Sequence, residues 1–108
     1  MGLSTHVLDT AAGAPAAGVP VSLSLRAGAE AWAPLVTAVT DDDGRAVLLF
    51  DDPDPGTYRL LFDTSGRSGF FPEVAVVVVV PEGDPGQRRS LHVPLLLSPF
   101  GYTTYRGS

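Results

Sequence analysis

No segment of this chain sustains the 3.6-residue periodicity of an amphipathic helix, and that absence narrows its fold more than any other feature. Apolar runs are short, and Gly and Pro punctuate them, as in Ala12-Gly13-Ala14-Pro15, Asp52-Pro53-Asp54-Pro55-Gly56 and Pro81-Glu82-Gly83-Asp84-Pro85-Gly86. Short runs between such turn signals predict an all-β sandwich or barrel. The pattern places strands at about 3–9, 19–26, 31–40, 45–50, 57–63, 73–80, 88–98 and 101–106. With 108 residues, no internal repeat and no linker, a single domain over 1–108 is expected.

Alternation assigns faces within these strands, because successive side chains of a strand point to opposite sides. Val19, Val21, Leu23 and Leu25 share one face of the second strand, and Tyr58, Leu60 and Phe62 share one face of the fifth. Leu91, Val93, Leu95 and Leu97 form an aliphatic stripe expected to face the core, leaving Ser90, His92, Pro94 and Leu96 opposite. In the first strand Leu3, Thr5 and Val7 lie on one face, and Ser4, His6 and Leu8 on the other. Val76 to Val80 is apolar on both faces, so cover is expected on both, from a second chain or from the loop at 64–71. Asp41-Asp42-Asp43-Gly44 reads as a tight turn, with glycine supplying a positive φ.

Composition excludes several chemistries. The chain has no cysteine, so it has neither a disulfide nor a thiolate nucleophile, and no lysine for a Schiff base. A net charge of −5 with seven scattered arginines builds no nucleic-acid stripe, and no apolar run approaches the roughly 20 residues of a membrane helix. The start lacks a signal-peptide pattern and the end lacks a peroxisomal address, so a cytoplasmic location is expected.

His6 and His92 are the only histidines, and both fall opposite the faces assigned to the core. Composition and parity leave two readings open for each, a surface or packing residue or a site residue. Two histidines without cysteine and without a compact ligand spacing make a poor metal set, and the three adjacent acids lack the alternating pattern of a calcium loop. No Gly-x-Ser-x-Gly elbow is present. Arg45, just after the acidic turn, reads either as an exposed cation or as a planar fork for carbonyl or anionic oxygens.

Three segments together carry a family resemblance: Leu3-Ser4-Thr5-His6-Val7-Leu8-Asp9-Thr10, Thr40-Asp41-Asp42-Asp43-Gly44-Arg45, and His92-Val93-Pro94-Leu95-Leu96-Leu97-Ser98-Pro99 leading into Tyr102-Thr103-Thr104-Tyr105-Arg106-Gly107-Ser108. The chain is similar, over essentially its whole length, to the 5-hydroxyisourate hydrolases, the transthyretin-related enzymes. The terminal Tyr-Arg-Gly-Ser is the most specific element, separating the enzyme from the hormone carrier of the same fold.

The resemblance implies a transthyretin-like sandwich of two four-stranded sheets, assembled as a dimer of dimers, a homotetramer with its site in the channel between dimers. It implies catalytic roles for His6, Arg45 and His92, substrate binding by Tyr105, Arg106, Gly107 and Ser108, and no metal or organic cofactor. The implied reaction is hydrolytic ring opening of 5-hydroxyisourate to 2-oxo-4-hydroxy-4-carboxy-5-ureidoimidazoline in urate degradation. Two departures stand out. Thr103 replaces a frequent serine, and 63–72 is short and glycine-rich where members usually carry a helix, so a loop is expected there. The alternatives are a non-catalytic carrier on the same sandwich and a carbohydrate-binding sandwich, the latter poorly supported by the single Trp32.

Overall fold

The first strand sets the pattern for the molecule. In the computed structural model, which describes residues 2–83 and 90–107, β1 (Leu3–Asp9) turns Leu3, Thr5 and Val7 fully inward and leaves Ser4 and His6 half-buried on the other side. Among the described residues eight further strands follow: β2 (Ala14–Pro15), β3 (Pro20–Arg26), β4 (Trp32–Val39), β5 (Arg45–Leu49), β6 (Gly56–Asp63), β7 (Glu73–Val80), β8 (Leu91–Ser98) and β9 (Gly101–Thr104). No helix occurs among the described residues.

The strands form two sheets packed face to face. In one, β8 runs parallel to β1 along one edge and carries β9 beyond it. The other edge of β1 is shared, with β5 pairing its Leu3–His6 half and β2 its Leu8–Asp9 end. The second sheet is antiparallel throughout, in the order β4-β3-β6-β7. This is the expected transthyretin-like sandwich, with the two-residue β2 as an addition too short to leave a periodic trace.

The core comes from the predicted stripes. Val21, Leu23, Leu60 and Phe62 of one sheet meet Leu3, Val7, Val93 and Leu95 of the other, all buried. Each large aliphatic side chain so placed stabilises the fold by about 1.5–3 kcal/mol. Thr5 is buried among them, and its hydroxyl donates to the Val93 carbonyl at 2.6 Å, which offsets the cost of desolvating it. In β3 the alternation ends early. A register shift between Leu23 and Ser24, where Leu35 is left over in β4, buries Ser24 and leaves Leu25 only partly covered.

The acidic turn does not close a hairpin. It carries the chain from β4 in one sheet to β5 in the other. Asp41 Oδ1 accepts from the Asp43 and Arg45 amides at 2.9 and 3.0 Å, and the Gly44 amide donates to the Asp41 carbonyl at 2.9 Å. Gly44 has φ +75°, as the sequence requires, and a Cβ there would lie 2.4 Å from the Val7 carbonyl oxygen. Only glycine lets the turn lie this close to β1.

Within the 63–72 segment Asp63 ends β6 and 64–72 is a loop, as its glycines predict. Two buried hydroxyls order it: Thr64 donates to the Phe71 carbonyl, and Ser68 donates to the Pro99 carbonyl while accepting from the Phe70 and Phe71 amides. Arg67 ties the loop to Asp9 at the end of β1, at 3.2 Å.

The valine run divides. Val76 and Val80 face the core, Val78 is partly buried against it, and Val77 and Val79 are 51% and 67% exposed. The loop at 64–71 therefore does not cover the outer valines. Among the described residues β7 is also the last strand of its sheet, so the outer face and free edge stand together.

Candidate active site

Three adjacent strands, β5, β1 and β8, build one polar patch on the outer face of their sheet. Ser4 and His6 point outward from β1 because their neighbours Leu3, Thr5 and Val7 point in. Ser4 lies in register with His92 on β8, and His6 lies in register with Arg45 on β5. Sheet pairing alone thus sets both histidines and the arginine on one surface, on rigid elements.

Hydrogen bonds fix the rings. Ser4 Oγ lies 2.9 Å from His92 Nδ1. His6 Nε2 lies 2.8 Å from the Asp43 carbonyl oxygen. A carbonyl only accepts, so His6 Nε2 carries a hydrogen and donates it. The turn that supplies this carbonyl is the one held by the Asp41 carboxylate, so the acidic turn serves the patch through its backbone.

The chain end completes the setting of His92. The Gly107 amide donates to the His92 carbonyl at 2.8 Å, and the two residues form an isolated bridge. A Cβ on Gly107 would come within 2.6 Å of His92 Cδ2 and 3.2 Å of Cγ. Glycine is required here because the backbone lies against the imidazole. Burial lowers the His92 pKa from its ordinary value, electrostatic interaction with the nearby His6 and Arg45 lowers it further, and a backbone hydrogen bond at Ser4 opposes them. Among the described residues, no group of three or more His, Cys, Asp or Glu side chains converges to hold a metal ion.

The family model of the HIUase/Transthyretin family matches residues 3–107. The chain belongs to this family. It is 46% identical to the mouse 5-hydroxyisourate hydrolase over 98% of this chain and 94% of that protein. It is 45% identical to the uric acid degradation bifunctional protein TTL of Arabidopsis thaliana, of whose length it spans 37%. Among solved structures, 5-hydroxyisourate hydrolase of Klebsiella pneumoniae is 35% identical with a TM-score of 0.80, each chain covering 100% of the other. Sea bream transthyretin in complex with thyroxine is 30% identical with a TM-score of 0.84, covering 99% of this chain and 95% of that one.

Within the HIUase/Transthyretin family, backbone likeness does not separate the hydrolase from the thyroxine-bound transthyretin, since this chain superposes on them with TM-scores of 0.80 and 0.84. Side chains must do so. The structure brings together His6, Arg45 and His92, and adds Gly107 from the terminal tetrapeptide. It sets Tyr105 and Arg106 apart, exposed and lining an edge cleft of about 320 Å³ with Val76–Val79, Leu91 and Val93. Ser108 lies outside the described residues. Two participants escaped the sequence reading. Ser4 shares the outward parity of His6, a signal that was present. The Asp43 carbonyl is a backbone group and leaves no sequence signal.

Proposed function

We propose that this chain hydrolyses 5-hydroxyisourate, opening its six-membered ring at the amide carbonyl to give 2-oxo-4-hydroxy-4-carboxy-5-ureidoimidazoline in urate degradation. The observation that carries this reading is the convergence of His6, Arg45 and His92 on one face, in a chain 46% identical to an enzyme of that name. Hydrolysis of an amide needs a base for water, stabilisation of the oxyanion and a proton for the leaving nitrogen. A histidine with a lowered pKa is neutral at pH 7 and can take the proton of water. The Arg45 guanidinium favours the charge that grows on the carbonyl oxygen as the tetrahedral species forms. The C–N bond then breaks, the nitrogen takes the proton, and a carboxylate remains. These residues need no metal or organic cofactor for this sequence.

The chain works as a single cytoplasmic domain within a homotetramer, a dimer of dimers. Several features support an assembly. Val77 and Val79 are exposed beside a free strand edge, and Phe70 and Phe100 are exposed beside Phe71 and Tyr102. The catalytic face is open in one chain, whereas a facing subunit would exclude water and strengthen each electrostatic contact. Tyr105, Arg106 and Ser108 are the substrate-binding groups of that assembled site. Adding pure protein to freshly generated 5-hydroxyisourate, and following its loss against the spontaneous background, tests the activity. Loss at the background rate with retained ligand binding points instead to a carrier. Light scattering at micromolar protein tests the assembly, and a stable monomer with full activity refutes it.

A further inference from the structure

Ser4 is the one hydroxyl hydrogen-bonded to a histidine of the polar patch among the described residues. Its partner atom is Nδ1 of His92, and no hydrogen bond engages His92 Nε2 among the described residues. The other histidine is held differently, through Nε2, by a carbonyl. These two partners have unlike chemistry. A carbonyl accepts only, so it favours a hydrogen on His6 Nε2 whatever the rest of the ring does. A hydroxyl both donates and accepts. It donates to Nδ1 when the neutral His92 ring carries its hydrogen on Nε2, and accepts from Nδ1–H when that nitrogen is protonated. Nε2 can take a proton only in the tautomer whose hydrogen is on Nδ1, and there Ser4 Oγ accepts from Nδ1–H both before and after Nε2 gains its proton.

Gly107 holds the same ring from another side, where its missing side chain leaves room for the imidazole. The ring is thus fixed at Nδ1 and along its Cδ2 side, with Nε2 left to exchange protons. The charged and titratable groups around it are His6 on β1 and Arg45 on β5, with Tyr105 and Arg106 preceding Gly107 in the terminal segment.

We propose that Ser4 is a positioning residue: it holds His92 through Nδ1 so that Nε2 of this ring takes the proton of water and returns it to the leaving nitrogen. The net proton change on His92 over one turnover is zero. His6, locked as an Nε2–H donor to the turn, then serves the site as a fixed ring beside the shuttle. The inference rests on the hydrolase reading for the identity of the reaction, and not for the Ser4–His92 contact itself.

The test compares Ser4→Ala with Ser4→Thr, which keeps a hydroxyl at the same place. Ser4→Ala lowers kcat by about tenfold to a hundredfold with KM near that of the parent chain, the size of loss expected when a reacting group is mispositioned. Ser4→Thr restores most of it. In parallel, 15N spectra of the imidazole nitrogens report tautomer and titration directly. The chain has two histidines, so His6→Gln assigns both rings. Ser4→Ala shifts the Nδ1 resonance and the titration midpoint of His92 and leaves His6 in place. Parent-like kcat in Ser4→Ala overturns the proposal. So does a slow Ser4→Ala whose His92 nitrogens are unmoved, or a folded Ser4→Thr as slow as Ser4→Ala. If the parent chain itself shows no turnover above background, the hydrolase reading fails, and the nitrogen spectra alone still decide whether Ser4 governs the His92 tautomer.

Discussion

The two sheets present similar faces to each other and unlike faces to their surroundings. Inward, both offer rows of Val, Leu and Phe held by the same transfer free energy. Outward, the β5-β1-β8 face carries Ser4, His6, Arg45 and His92, polar groups each set by strand register and three of them fixed by hydrogen bonds below 3 Å. The outer face of the other sheet carries Trp32, with the Arg59 and Arg26 guanidinium carbons 4.7 and 4.9 Å from its ring centroid, and the exposed valines of β7. Both outer faces contain arginine. In one the cation sits beside imidazole rings; in the other it stacks on an indole. The contrast teaches that a common core leaves each outer face free to take its own chemistry.

The largest expected effect breaks this contrast if it fails. His92→Ala lowers the hydrolysis rate by at least about a hundredfold, the usual loss of an acid–base group, while Trp32→Ala leaves the rate unchanged. A rate assay on both variants, with circular dichroism as the folding control, decides it. If the two lose activity alike, the outer faces do not differ in function.

A smaller loss sharpens the role of the chain end. Gly107→Ala places a methyl group 2.6 Å from His92 Cδ2, so the ring or the terminal strand must shift. A fall in kcat of about tenfold is expected, at unchanged unfolding midpoint in urea, since the segment is peripheral to the core. An alanine variant with parent kcat shows that the ring does not depend on this contact.

The smallest effect is a pH dependence confined to the polar face. The His92 pKa is lowered in the folded chain below the ordinary 6.5, chiefly by burial. As pH falls below about 6.5, the unfolded chain takes up a proton at this ring before the folded chain does. Folding stability therefore declines from that pH down to the folded pKa and changes no further at this site below it. Above 6.5 the ring is neutral in both states and contributes nothing. Urea unfolding at a series of pH values checks the slope, which His92→Gln should reduce and Trp32→Ala should not. The acid limb of kcat/KM should likewise fall below pH 6.5.

Much of this was legible in the residues. Parity in β1 and β8 put Leu3, Val7, Leu91, Val93, Leu95 and Leu97 inside and both histidines outside, and the structure agrees. It is legible because burial acts on every second side chain of a strand, which leaves a period. What left no period was not legible. The two residues of β2 are too few, the shift at Leu23 and Ser24 depends on a partner strand, and five identical valines do not say which three turn toward the core. The site divides in the same way. His6, His92 and Arg45 belong to residue types with chemistry of their own. Ser4 and Gly107 matter through contacts with residues distant in the chain, and no local pattern announces such a contact.

The parallel pairing of β1 with β8 bears on how the protein comes to be folded. Leu3 lies beside Leu91 and Asp9 beside Leu97, so a central strand of one sheet finds its partner only when most of the chain has been made. Ser4 and His92, 88 residues apart, are joined by the closure of almost the longest loop this chain contains. Closing such a loop costs entropy before any contact rewards it, and non-local pairing of this kind slows folding. The antiparallel sheet has no such delay, because β3 and β4 are consecutive and only one other strand, β5, intervenes before β6. The polar surface of β5, β1 and β8 is therefore among the last features to form, and until β8 arrives the first strand keeps an unpaired edge open to other chains.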